Sequence, residues 1–402
     1  MGPYDIDSIN LEYSALESIP IDSVVTNVRF VRLETNEDCL IESYDEIQIV
    51  DERIFIRSSK GGQQALFVFD LEGNHLLSIG TQGRGPGEYL AISGFYVSPE
   101  KKEIGILDLA KVLVFDYNGK YLRSHSFERL GLVPCDVSPS LISFNGHFYV
   151  IVNTFETIGN DPPQGWGNEL MENDVFNLIA VYDSDWKLVK RVYPIPRERS
   201  GQLYRYQLEF GGQKKAFSTD GEKLWFHSIF SDYIYEVVDH EFIPRFMLDY
   251  GRHKIPGEQY IEAIKFTEYQ GPDYLFTFRN GNYGFPGSQY TVRGSQILLK
   301  PEIGRVSPLI LYDKSTKKSL VLAMTKNDII GNSANLFPSR GVGTYDGGFF
   351  GHIPADRFVW TRNRGRTYSK VSPLSPLNFP EYDQISNTDN AVILFFDIKK
   401  ER

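Results

Sequence analysis

The groups in this chain that could do chemistry are seven histidines, two cysteines, 52 carboxylates and one glycine-rich loop. His75, His125, His147, His227, His240, His253 and His352 show no HxH or HExxH spacing, the arrangements that bring two imidazoles onto one metal ion. Cys39 and Cys135 stand far apart without a CxxC, which supports neither a thiolate metal site nor a disulfide framework. Two free buried thiols is the simplest reading, and whether they pair stays open. No GxSxG elbow presents a serine nucleophile. Gly83-Arg84-Gly85-Pro86-Gly87 lacks the GK[ST] ending of a phosphate loop and leads into no helix. It fits a tight crossing in which glycines supply unusual dihedrals, Pro86 fixes one, and Arg84 and Glu88 tie neighbouring loops. Arg84 and Glu88 are also candidate ligand contacts. Ser218-Thr219-Asp220-Gly221-Glu222-Lys223-Leu224-Trp225 approaches the SxDxGxxW box with its glycine one place early, and an ordinary β-turn explains it. The remaining candidates recognise rather than react. Trp166, within the insertion 160–168, and Tyr204, Arg205 and Tyr206 combine aromatic faces with a cation, a set that stacks on sugars or anchors a protein partner. Packing their own loops down is the competing reading.

The elements that must position these groups are strands. Aromatic residues make up 14% of the chain, with 24 Tyr and 28 Phe, types that favour pleated, half-buried surfaces. One motif recurs: a short apolar run, an acidic residue, a turn, and a second run. Its clearest copies, Leu66–Leu76 and Val112–Leu122, align without a gap 46 residues apart. Weaker copies end at Asp183, Asp239, Asp313 and Asp397. This is a β-hairpin in which the carboxylate bonds turn amides and Asn118-Gly119 supplies positive φ; the fourth copy lacks the glycine. Two more strand-like runs precede each hairpin, as in Glu46–Val50 with Arg53–Ile56 and Gly94–Val97 with Glu103–Leu107. Four strands repeated six times predict an all-β, six-bladed β-propeller of antiparallel blades, with the later insertions as loops. The last hairpin stops short at Asp397, and Asn27–Leu33 is an alternating strand without a partner. The N- and C-terminal strands are therefore expected to close the last blade together, abolishing open edges. Residues 1–26 are expected to form a surface arm and 27–402 one propeller domain.

Ser78-Ile79-Gly80-Thr81-Gln82-Gly83-Arg84-Gly85-Pro86-Gly87-Glu88-Tyr89 directly follows the first clear hairpin. It resembles the IGxxGRGPGEY segment of a six-bladed propeller family abundant in Bacteroidetes and related to NHL-repeat propellers, and Val28–Thr35 resembles that family's opening strand. The resemblance implies an exported protein, periplasmic or at the cell surface as a lipoprotein whose leader has been removed, and it carries no established activity.

A formal net charge of -10 with scattered Lys and Arg argues against nucleic acid as a partner, and no apolar run is long enough for a membrane helix. A monomer is expected. The leading functional expectation is a non-catalytic binding or scaffolding propeller of the cell envelope that recognises a protein, peptide or glycan. The alternative is a metal-dependent lactonase or lyase, with oxygen ligands holding Ca²⁺ at the mouth of the central channel. Asp70, Asp116, Asp183, Asp313 and Asp397 are already explained by turn chemistry, so neither catalytic residues nor metal ligands are assigned.

Overall fold

The computed structural model describes residues 5–60, 63–130, 141–151, 171–172, 175–196, 216–228, 231–256, 280–284, 289–323, 343–365, 379 and 382–399. Six antiparallel sheets are arranged around one axis. In each blade the strands are lettered a to d from the axis outward. Blade 1 is Glu46–Val50, Arg53–Lys60, Gln63–Asp70 and His75–Ser78. Blade 2 is Gly94–Ser98, Glu103–Leu107, Lys111–Asp116 and Tyr121–Ser126. Blade 3 is Leu141–Phe144, His147–Ile151, Val175–Asp183 and Leu188–Pro196, with Met171–Glu172 pairing on strand c. Blade 4 is Phe217–Thr219, Leu224–His227, Tyr233–Val238 and Glu241–Asp249. Blade 5 is Gln289–Arg293, Gln296–Lys300, Ile310–Asp313 and Lys318–Ala323. Blade 6 takes Thr344–Tyr345, Gly348–Ile353 and Val392–Ile398 from the end of the chain, and its strand d is Val25–Arg32 from the beginning. The expected propeller and its closure by both termini are what the chain forms.

The burial pattern explains why strands a to c are apolar runs. They lie between two neighbouring sheets, so both faces are covered and every residue of Gly94–Ser98 is buried. Strand d meets water on one side, and His75–Ser78 alternates between half-buried and exposed. The core is accordingly a series of inter-blade seams. Phe55, Phe95 and Phe115 fill the one between blades 1 and 2, while Val31, Ile54, Phe350 and Phe395 fill the one between blades 6 and 1.

The hairpin aspartates act as their spacing implies. Asp70 Oδ1 accepts the N–H groups of Glu72 and Asn74 at 3.0 and 2.8 Å, and Asp116 Oδ1 accepts those of Asn118 and Lys120, both at 2.9 Å. Gly73 and Gly119 take φ of +89° and +78°. At the equivalent position of blade 3 stands Trp186 with φ +61°, an unfavourable backbone for a bulky residue. Its burial offsets the strain: the indole stacks on Phe148 at 4.5 Å and donates to the Tyr96 hydroxyl at 3.3 Å. In blade 4 the aspartate lies inside the turn. Asp239 and His240 take φ of +50° and +66°, the two left-handed positions of a tight hairpin, which is why that copy needs no glycine.

Ahead of Val25 the chain adds fifth strands. Asp7–Asn10 pairs in parallel with strand d of blade 4, and Glu17–Pro20 pairs likewise with strand d of blade 5. Asp7-Ser8-Ile9-Asn10-Leu11 and Glu17-Ser18-Ile19-Pro20-Ile21 share an acidic–Ser–Ile–x–aliphatic pattern, and Ile9, Leu11 and Ile21 are buried. A helix, Ala355–Gly365, is inserted between strands b and c of blade 6; its Phe358 packs edge-on against Phe30, with centroids 6.1 Å apart.

Candidate binding site at the channel mouth

Strand direction sorts the loops. In an antiparallel blade the a–b and c–d turns emerge on one face of the disc, and the b–c and d–a connections on the other. At the turn face, the axis opens into a cavity of about 1200 Å³ to which all six blades contribute. One residue of each a–b turn stands at the rim: Asp51, Glu100, Asn145, Asp220, Ser295 and Asp346. Deeper, the first strands present Gln48, Ser143, Thr219, Arg293 and Thr344, and strand b of blade 5 presents Gln296.

Hydrogen bonds fix this lining across blades. Thr291 Oγ1 donates to Thr344 Oγ1 at 3.4 Å, and Thr344 Oγ1 donates to the Thr219 carbonyl at 3.3 Å, linking blades 5, 6 and 4. Gln296 Nε2 donates to the carbonyls of Ile398 and Lys399 at 3.3 and 3.2 Å. Arg293 Nη1 meets Asp397 Oδ1 at 3.0 Å, and Asn27 Nδ2 donates to Asp397 Oδ2 at 3.0 Å. The aspartate of the sixth hairpin motif thus bridges the two chain ends and blade 5 instead of capping a turn. Asp220 Oδ1 accepts the Lys223 N–H at 2.9 Å, and its Oδ2 accepts Trp225 Nε1 at 3.3 Å, so the near-match to the SxDxGxxW box is the a–b turn of blade 4. Five carboxylates, those of Asp51, Glu100, Asp220, Asp346 and Asp397, face this space against the cations Arg293 and Lys399. Arg293 pairs with Asp397 and Lys102 with Asp51, which leaves Glu100, Asp220 and Asp346 against Lys399 and gives the mouth a negative balance. Among the described residues, no three His, Cys, Asp or Glu side chains converge as one ligand set.

Arg84 and Glu88, singled out from sequence, lie elsewhere. Arg84 and Glu88 belong to the d–a connection between blades 1 and 2, on the face opposite the cavity. Glu88 turns onto its own loop: its Oε2 accepts the Gly85 N–H at 2.6 Å, and a Cβ at Gly83 would lie 2.1 Å from the same oxygen. Gly87, at φ +80°, passes Tyr121 so closely that a Cβ there would sit 2.9 Å from the tyrosine Cβ. The expected tight interblade crossing forms, but Glu88 ties its own loop and not a neighbouring one. Arg84 is exposed and makes no bond to another described residue. Trp166, Tyr204, Arg205, Tyr206 and Cys135 lie outside the described residues. Cys39 is a free, buried thiol whose Sγ approaches the Glu34 carbonyl at 3.3 Å. The rim residues were missed because each looks like common turn chemistry. Their signal was positional, each one falling one or two residues after the first strand of a blade.

A closed six-bladed β-propeller with a ligand-sized mouth of mixed polar and apolar lining is the class this fold and site define. The chain belongs to the family described as a domain of unknown function (DUF4934), which matches residues 5–397. Its architecture is similar to that of a Bacteroides fragilis protein inferred to be exported, at 19% identity and a TM-score of 0.71, covering 98% of this chain and 100% of that one. It is also similar to a member of the DUF4221 family from Bacteroides vulgatus, at 10% identity and a TM-score of 0.52, covering 94% and 98% of the two chains. At these identities the likeness shows the fold. No curated protein matches the chain. No helix among the described residues is long and apolar enough to cross a membrane.

Proposed function

We propose that this chain is a non-catalytic binding propeller of the bacterial cell envelope that takes a segment of a protein or a peptide at the channel mouth. The observation carrying this reading is the cavity of about 1200 Å³ built by all six blades. It slightly exceeds the ~300–1,000 Å³ usual for small-molecule pockets. Its lining offers carboxylates and side-chain amides held by inter-blade bonds, a preorganised surface that costs little ordering on binding. The excess of carboxylates over cations favours basic segments over acidic ones. The envelope assignment is supported by the similarity to the Bacteroides fragilis protein described as exported by inference and by the Ser78–Tyr89 segment, whose resemblance also supports an NHL-related, lipid-anchored ancestry.

The test uses immobilised full-length protein probed with basic, acidic and neutral peptides of equal length and with neutral oligosaccharides. The variant Glu100→Lys/Asp346→Lys reverses two rim charges. Binding of basic peptides that weakens at least tenfold in the variant, and with added salt, supports the reading. Equal binding to wild type and variant would place the site elsewhere, and a preference for the oligosaccharides would replace the peptide with a glycan.

A further inference from the structure

Beside the channel mouth, two histidines from adjacent blades meet. His147 opens strand b of blade 3, and His240 stands in the c–d turn of blade 4; their ring centroids lie 4.7 Å apart with planes at 68°. Each ring has one nitrogen occupied. His147 Nδ1 donates to the Asn145 carbonyl at 3.0 Å, since a carbonyl only accepts. That assigns the tautomer and leaves Nε2 unprotonated, with its lone pair available. His240 Nδ1 lies 2.9 Å from the Tyr149 hydroxyl, two residues along the same strand from His147. Neither Nε2 bonds another described residue.

We propose that His147 and His240 form a two-imidazole chelate for a borderline divalent ion such as Zn²⁺ across the seam between blades 3 and 4. Neutral imidazole is the preferred nitrogen ligand of such ions, and a ligating histidine characteristically donates its other N–H to a carbonyl or hydroxyl that fixes its orientation. Asn145 and Tyr149 stand where those partners belong, the latter once His240 carries its proton on Nδ1. The pair is half-buried and open to solvent on the turn face, so water completes the coordination shell. The turn geometry is part of the site: His240 at φ +66° is displayed by a backbone that no other c–d turn of the described blades uses at two consecutive non-glycine residues.

The experiment is calorimetric titration of Zn²⁺ alone into tag-free full-length protein at pH 7.5, repeated at pH 5.5, where protons compete for the imidazoles. His147→Gln, His240→Gln and the double variant are compared with His75→Gln, a histidine remote from the pair. One ion per chain is expected, weakened at least tenfold by either pair variant and by the lower pH, and unchanged by His75→Gln. Zn²⁺ should raise the melting temperature of the wild type and not of the double variant, because the ion binds only the folded seam. Wild-type affinity retained in either single pair variant, or loss on changing His75, would overturn the proposal.

Discussion

Blades 2 and 6 are the same four-stranded sheet held together in two ways. In blade 2, strands c and d are consecutive, and Asp116 closes their turn by accepting two backbone amides. In blade 6, strand c is Val392–Ile398 and strand d is Val25–Arg32, so no covalent turn joins them. Backbone pairing is supplemented there by side chains that reach across the break: Asp397 to Asn27, Arg32 to Asp389 at 2.8 Å, and Asn390 Nδ2 to the carbonyls of Glu34 and Cys39 at 2.6 and 2.8 Å. A turn makes strand association local and entropically inexpensive, whereas closing a ring between chain ends orders a loop the length of the protein. Blade 6 adds an apolar cover over this strand, Phe30 packing against Phe358, Phe379 and Tyr382. The ring should therefore open first at blade 6.

The strongest way to break this comparison is to empty each core. Phe30→Ala and Phe115→Ala should each cost about 3–5 kcal/mol, both side chains being essentially buried. Their signatures should differ: amides of Val25–Arg32 should exchange faster than global unfolding in Phe30→Ala, while Phe115→Ala should lower the whole transition. Identical exchange patterns would mean that the closure is as cooperative as a covalent blade.

Acid should act on the same seam. His352, on strand b of blade 6, stacks on Tyr44 at 5.1 Å and is 4% exposed; burial pushes its pKa down from 6.5 to about 4. The folded state thus favours the neutral ring. Stability from this residue is complete above pH 6.5 and is lost as pH falls toward 4, by about 3 kcal/mol if the shift is fully realised. Denaturant melts from pH 7 to 4 should show this slope, and His352→Gln should flatten it. An unchanged slope in the variant would assign acid sensitivity to other groups.

The smallest effect sharpens the role of the repeated aspartate. Asp116→Ala removes a solvent-exposed turn cap and should cost about 1 kcal/mol. Asp397→Ala should cost about 1–2 kcal/mol, because Arg293 and Asn27 both lose their acceptor. It should also loosen the channel lining, which would appear as faster exchange near Thr344. Equal costs with no change at Thr344 would make Asp397 an ordinary strand residue.

Much of this architecture was legible along the chain because it is local. A hairpin needs an apolar run, a carboxylate and a turn within a few positions, and six apolar runs ending in a carboxylate count the blades, although the last of them, at Asp397, has no covalent turn. The lone strand at Asn27–Leu33 and the truncated hairpin at Asp397 implied each other. Trp186 was invisible as a turn residue, since its backbone is tolerated only because Tyr96 and Phe148 from two blades cover the indole. The Asp7–Leu11 and Glu17–Ile21 segments were also missed as strands, because short parallel pairing is decided by the edge they meet and not by their own propensity. Residue periodicity, which follows from strand geometry, determined the blade, its number and its closure in the sequence itself. Which side chains face one another at the channel mouth, and that His147 meets His240, only the tertiary structure decided, because residues tens to hundreds of positions apart become neighbours only when six sheets share one axis.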